Sequence, residues 1–194
     1  NGAEPVRVGT LDRFAAAFAG VGFRRVPFVP CYGLAEATLL VTGVPGVVTY
    51  AVDPAAQEQG RLEASSADNA RTLVACGPMD DSVAVVDTTT LQPCAEGAIG
   101  EIWVNNGGVA LGYWQRTEES AAAFGAHTAD GRGPWMRTGD LGAVLDGRLY
   151  VTGRIKDLVI LAGRNLYPTD IEGVVQTCGD ELRPGFGVAF SIEH

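Results

Sequence analysis

Apolar residues near the start of the chain recur at helical spacing. Leu11, Phe14, Ala15 and Phe18 share one face of residues 10–19, with Thr10 placed to cap the amino end. Residues 26–31 form a short apolar run, broken by Pro27 and Pro30, that leads into Tyr32-Gly33, and residues 34–41 read as a helical turn or two. From 43 to 69 the pattern dissolves into Gly, Pro, Ala, Asp and Gln, with one strand-like run at 47–52. A connection that long usually has a purpose.

The texture then turns to β. Residues 82–87, 99–105 and 135–138 are strand-like, and residues 144–151 read as a hairpin whose Asp146-Gly147 supplies the positive φ angles of a type I′ turn. A short helix over 117–124 interrupts them, with Thr117 as its cap and Glu118 and Glu119 at the positive end of its dipole. Gly153-Arg154 is a candidate boundary. Beyond it come a strand at 158–161, a turn at Gly163, a helix opening at Pro168 with Ile171, Val174, Val175 and Cys178 on one face, and a second strand at 188–192.

With 46% apolar and 19% charged residues, the composition is globular. Fourteen basic against 23 acidic side chains leave a net charge of −9, a poor platform for nucleic acid or an anionic membrane. Cys31, Cys76, Cys94 and Cys178 are too scattered for a zinc site and read as buried thiols of a reducing cytoplasm. No stretch reads as a signal peptide or a membrane span. Trp103, Trp114 and Trp135 are expected to be structural. The first residues, Asn1-Gly2-Ala3-Glu4-Pro5-Val6, and the last, Phe190-Ser191-Ile192-Glu193-His194, both read as cut, so an internal piece of a longer chain is expected.

Three segments carry chemistry together that none carries alone: Tyr32-Gly33-Leu34-Ala35-Glu36, Arg137-Thr138-Gly139-Asp140 and Gly153-Arg154-Ile155-Lys156-Asp157. With Gly100-Glu101-Ile102-Trp103-Val104, Gly112-Tyr113-Trp114, Gly163-Arg164-Asn165 and Pro168-x-Asp170-Ile171-Glu172, their order resembles the adenylate-forming superfamily of acyl-CoA synthetases, luciferases and peptide-synthetase adenylation domains. The likeness covers essentially the whole chain. Within that superfamily the chain looks most similar to the fatty acyl-AMP ligases, on residues 1–6, 31–39 and 163–168. Ala35 stands where the wider superfamily usually has Thr, which also points to that branch. The connection of about 43–75 corresponds to the branch's insertion, associated with passing the acyl group to a carrier protein rather than to CoA.

The resemblance implies an α/β fold in three pieces. Residues 1–75 would end a large α/β subdomain, residues 76–153 would form a β-rich barrel-like subdomain, and residues 154–194 would begin a small α+β lid. It implies ATP-dependent activation of a fatty acid with Mg²⁺, followed by transfer to acyl carrier protein. Glu36 would offer a hard oxygen to Mg²⁺. Tyr32 and Gly33 would lie against the nucleotide, the Tyr32 ring under adenine, with ordinary core packing as the alternative for that ring. Ala3 and Glu4 would border adenine through their backbone. Asp140 would accept from both ribose hydroxyls, since a carboxylate has four lone-pair sites. Arg154 would grip ribose or phosphate oxygens, and Lys156 would mark the pivot between the two domains. The family's lysine-bearing phosphate loop would precede Asn1 and its catalytic lysine would follow His194, so these residues alone are expected not to adenylate. Two other readings share the pattern: a CoA ligase or an adenylation domain for amino or aryl acids, and a non-catalytic domain of a megasynthase.

Overall fold

The computed structural model describes residues 1–2, 5–176, 178–179, 181–182 and 186–192. Among them the fold mixes helix and sheet, and every strand pairing is antiparallel. Helix α1 (Val8–Phe18) starts before the sequence pattern suggests. Arg7 sits at its cap without a side-chain bond, and Thr10 lies inside the first turn, where its hydroxyl accepts from Arg13 Nη2 at 3.3 Å. Leu11 is its one buried residue. Phe14 instead meets Phe18, Phe23 and Phe28, with ring centroids 4.6, 5.2 and 6.0 Å away.

Strand β1 (Cys31–Tyr32) pairs with β2 (Thr42–Gly43). The helical turns expected between them reduce to a single 3₁₀ turn, Ala35–Ala37, followed by Thr38 and Leu39 at φ 55° and 80°. Two consecutive side-chain-bearing residues in the left-handed region are costly, and they persist only where surrounding contacts over-determine them.

The long connection is more ordered than its composition suggests. Strands β3 (Thr49–Val52) and β4 (Arg71–Val74) pair, and between them lies α2 (Pro54–Glu58). Asp53 caps that helix by accepting from Ala55 N–H at 3.0 Å, and Pro54 pre-sets its first turn. Val52, Leu62, Leu73 and Ala75 pack with Ala143, Leu145 and Tyr150 into one core, which fixes the segment on the main sheet.

That sheet runs β5-β6-β7-β8, comprising Val83–Val86, Gly100–Val104, Met136–Leu145 and Arg148–Arg154. Every residue of β6 is buried, because both of its faces are covered. Ile102 and Val104 enter one core with Tyr32, Val85 and Met136, while Trp103 enters another with Val86 and Trp135. The turn at Asp146-Gly147 has φ values of 49° and 66°, as the sequence predicts. The run at 135–138 and the first strand of that hairpin prove to be one strand, β7, which passes through Thr138-Gly139-Asp140. Helix α3 (Thr117–Phe124) has the predicted extent, but Arg116 rather than Thr117 occupies the cap and pairs with Glu119 at 2.8 Å. Among the tryptophans, Trp103 and Trp135 are buried as expected, whereas Trp114 is exposed. Of the cysteines only Cys76 is fully buried, and all four are free.

After Arg154 a second tight hairpin joins β9 (Val159–Leu161) to β10 (Arg164–Leu166) through Ala162 and Gly163, at φ 50° and 77°. Helix α4 (Pro168–Val175) follows, with Pro168 in its first turn. The described residues of 186–192 form no strand, contrary to expectation. This part rests on the long connection. Arg71 Nη1 lies 2.5 Å from Asp170 Oδ2, Arg164 Nε donates to Glu58 at 2.7 Å, and the Arg71 guanidinium stands 5.5 Å over the buried Tyr167 ring.

Candidate active site

The register of the β7–β8 hairpin sets Asp140 opposite Arg154. Strand β1 brings Tyr32 to the same point from more than a hundred residues away. Tyr32 donates its hydroxyl proton to Asp140 Oδ2 at 2.8 Å, and Arg154 Nε donates to Oδ1 at 3.0 Å. Asp140 N–H donates to Thr138 Oγ1 at 3.0 Å, and that hydroxyl donates to Ile102 O at 2.7 Å. Asp140 is buried and Arg154 is exposed, so the ion pair reaches from the core edge to solvent.

Burial pushes the Tyr32 phenol well above its ordinary pKa, and the neighbouring Asp140 charge raises it further. The hydroxyl therefore stays a donor. The Tyr32 ring is only 6% exposed and belongs to the core of Val85, Ile102 and Met136, so the hydroxyl is what reaches the site.

Glu101 organises this segment, and reading the residues gave it no role. It is 2% exposed, and its carboxylate accepts from Trp103 Nε1 at 2.9 Å, from Arg137 Nε and Nη2 at 2.9 and 2.8 Å, and from Gly139 N–H at 3.0 Å. The Arg137 guanidinium also stands 5.6 Å over the Trp103 ring. Gly139, at φ 73°, turns β7 so that its N–H meets Glu101 while the next residue points at Tyr32. The signal in the sequence was a carboxylate inside an otherwise apolar strand, which must be paired if buried.

Glu36 sits on the 3₁₀ turn and is half-buried. Its Oε1 accepts from the Tyr113 hydroxyl at 2.9 Å, a contact not anticipated from sequence. Gly33 is required by a close approach, since a Cβ there would lie 1.5 Å from Leu39 O. Lys156 is exposed on the 3₁₀ turn Ile155–Asp157, immediately after Arg154. Ala3 and Glu4 lie outside the described residues. The structure thus joins Tyr32, Asp140 and Arg154 directly, and holds Glu36 and Gly33 on the loop that leaves Tyr32.

The donor set suits the expected ligands. Each Asp140 oxygen has one partner, which leaves lone pairs for a diol. Among the described residues no group of three or more His, Cys, Asp or Glu could hold a metal. A single half-open carboxylate such as Glu36 matches Mg²⁺, which takes one or two protein carboxylates together with phosphate oxygens. No helix among the described residues is long and apolar enough to cross a membrane.

The chain belongs to the AMP-binding enzyme family, which residues 1–114 match. Over 205 residues it is 46% identical to the medium-chain-fatty-acid–[acyl-carrier-protein] ligase JamA of Moorena producens, covering 100% of this chain and 34% of that relative. A solved structure from work on fatty acyl-adenylate ligases of E. coli and L. pneumophila superposes with a TM-score of 0.83 at 38% identity, covering 97% of this chain and 34% of its own. The fatty acyl-adenylate ligase of L. pneumophila in complex with acyl adenylate and pyrophosphate gives 0.77 at 43% identity, covering 100% and 35%. The chain therefore spans about a third of the length of the curated relatives it matches.

Proposed function

We propose that this chain forms the nucleoside- and metal-facing part of a cytoplasmic fatty acyl-AMP ligase that hands its product to an acyl carrier protein. The observation that carries this reading is the junction of Tyr32, Asp140 and Arg154, drawn from three distant segments onto one carboxylate. In the proposed reaction a fatty carboxylate oxygen attacks the α-phosphorus of ATP, the bond to pyrophosphate breaks, and acyl-adenylate forms. The phosphopantetheine thiol then attacks the acyl carbonyl, losing its proton, and AMP leaves.

Asp140 holds the ribose diol with its remaining lone pairs, Arg154 neutralises ribose-side or phosphate oxygens, and Glu36 offers its free oxygen to Mg²⁺. Mg²⁺ supplies charge neutralisation on the phosphates. Ala3, Glu4 and Gly33 border the nucleotide, and Tyr32 fixes Asp140 from behind. Lys156, exposed and next to Arg154, is the pivot of a lid that begins at residue 154. The preceding pieces are residues 1–75 and 76–153. The relatives named as fatty-acid–[acyl-carrier-protein] ligases support transfer to a carrier, and Arg71 and Glu58 tie the insertion to Asp170 and Arg164 in that lid. The chain itself contains no lysine-bearing glycine-rich phosphate loop, so pyrophosphate exchange is expected of the full-length ligase only.

Supplying the full-length ligase with a fatty acid, ATP and either CoA or a phosphopantetheinylated carrier protein tests the reading. Thioester is expected on the carrier. Rapid thioester formation on CoA instead would contradict it.

A further inference from the structure

Glu36 and Tyr113 stand on separate loops that the backbone laces together. Ala110 N–H donates to Glu36 O at 2.8 Å, and the Thr38 hydroxyl donates to Gly108 O at 2.6 Å. Thr38, which makes one of these bonds, and Leu39 after it both have positive φ. The loop bearing Glu36 is therefore held in a costly conformation by the loop bearing Tyr113.

Tyr113 is itself fixed on three sides. Its N–H donates to Ser120 Oγ at 2.8 Å, its ring packs edge-on to Phe124 at 5.2 Å, and its hydroxyl ends on Glu36 Oε1 at 2.9 Å. With the ring seated edge-on against Phe124, the hydroxyl bond sets the orientation of the Glu36 carboxylate and leaves its second oxygen for another partner. Ligand carboxylates of metal sites are oriented in this way by outer-shell hydrogen bonds.

We infer that Tyr113 is a positioning residue, whose hydroxyl orients Glu36 to present its free oxygen to Mg²⁺; this rests on the proposed metal-binding role of Glu36. The loops are laced by bonds that do not involve the Tyr113 hydroxyl, among them Ala110 N–H to Glu36 O and the Thr38 hydroxyl to Gly108 O, so loss of that hydroxyl should be felt at the metal.

The test uses the full-length ligase with Mn²⁺ as the probe, titrated by electron paramagnetic resonance in the presence of a non-hydrolysable ATP analogue. Tyr113→Phe keeps the ring and its Phe124 contact. It is expected to weaken Mn²⁺ binding by about tenfold, the lower end for losing an outer-shell partner. The concentration of Mg²⁺ giving half-maximal rate should rise by a similar factor, with the KM for fatty acid unchanged. In a Glu36→Gln background the same change should have no further effect. If Glu36→Gln weakens Mn²⁺ binding and Tyr113→Phe does not, the inference fails while the metal role of Glu36 stands. Equal weakening by Tyr113→Phe in both backgrounds would also overturn it. If Glu36→Gln leaves Mn²⁺ binding unchanged, the metal role fails and takes the inference with it.

Discussion

Glu101 offers the sharpest test of how the site is supported. Replacing it with alanine removes the acceptor for four donors: Trp103 Nε1, Arg137 Nε and Nη2, and Gly139 N–H. The Trp103 N–H then has no partner in a residue that is 1% exposed, which costs about 1–3 kcal/mol. Arg137 loses its counter-charge, but its side chain is 39% exposed and can turn to water. That loss is closer to the roughly 1 kcal/mol of a surface pair than to the 3–5 kcal/mol of a fully buried one. The expected total is about 3 kcal/mol, a large part of the roughly 5–15 kcal/mol that separates folded from unfolded chains. In urea titrations followed by tryptophan fluorescence, with a slope of about 2 kcal/mol/M, the midpoint should fall by about 1.5 M. Glu101→Gln keeps the volume and an acceptor for Gly139 N–H, and should lie between alanine and the parent. A loss below about 1 kcal/mol for Glu101→Ala, at unchanged slope, would refute the reasoning.

Two further outcomes follow from the geometry. Gly33→Ala sets a Cβ 1.5 Å from Leu39 O, where only backbone movement relieves the clash. It should cost about 3 kcal/mol or more and be seen as lost soluble yield or a much lower Tm. At the end of β5, Asp87 Oδ1 accepts from Thr90 N–H at 2.6 Å, Thr90 Oγ1 at 2.9 Å and Thr89 N–H at 3.0 Å, and these bonds hold its carboxyl below the ordinary aspartate pKa. Its contribution is therefore present above that ordinary value and is lost as pH falls through the lowered one. Asp87→Asn keeps an acceptor but does not titrate, so Tm profiles should show the variant less stable than the parent at neutral pH, with a shallower acid limb that converges on the parent as pH falls through the lowered Asp87 pKa.

Much of the β framework was legible because its signals are local. Asp146-Gly147 specifies its own turn, and a four- or five-residue apolar run such as Val83–Val86 has few alternatives to a buried strand. Helix α2 was not legible, since five residues are too few for a period to emerge, although Asp53-Pro54 is a start signal in hindsight. The strand-like run ends at 138 because glycine and aspartate, as in Gly139-Asp140, disfavour strands. The structure keeps that pair in β7 because buried Glu101 gives Gly139 N–H an acceptor that no local pattern reveals.

The site divides in the same way. Tyr32, Asp140, Arg154 and Glu36 could be nominated from their segments, but not the bonds among them. Which side chain meets Glu36 depends on how residues 108–113 pack, and Tyr113 lies 77 positions away. Trp114 had looked structural, yet the tight path around Gly112 and Gln115, both at positive φ, leaves it facing solvent.

The central claim is that Asp140 grips the ribose of ATP, and nucleotide discrimination tests it most directly. Pyrophosphate exchange by the full-length ligase would be compared on ATP, 2′-deoxy-ATP and 3′-deoxy-ATP, with the parent enzyme and with Asp140→Ala. A hydrogen bond to a charged group contributes about 1.5–3 kcal/mol, so the parent should lose at least about tenfold in kcat/KM on each deoxynucleotide. Asp140→Ala should be poor on all three and no longer distinguish them. If the alanine variant still discriminates as strongly as the parent, another group reads the ribose and the account is wrong.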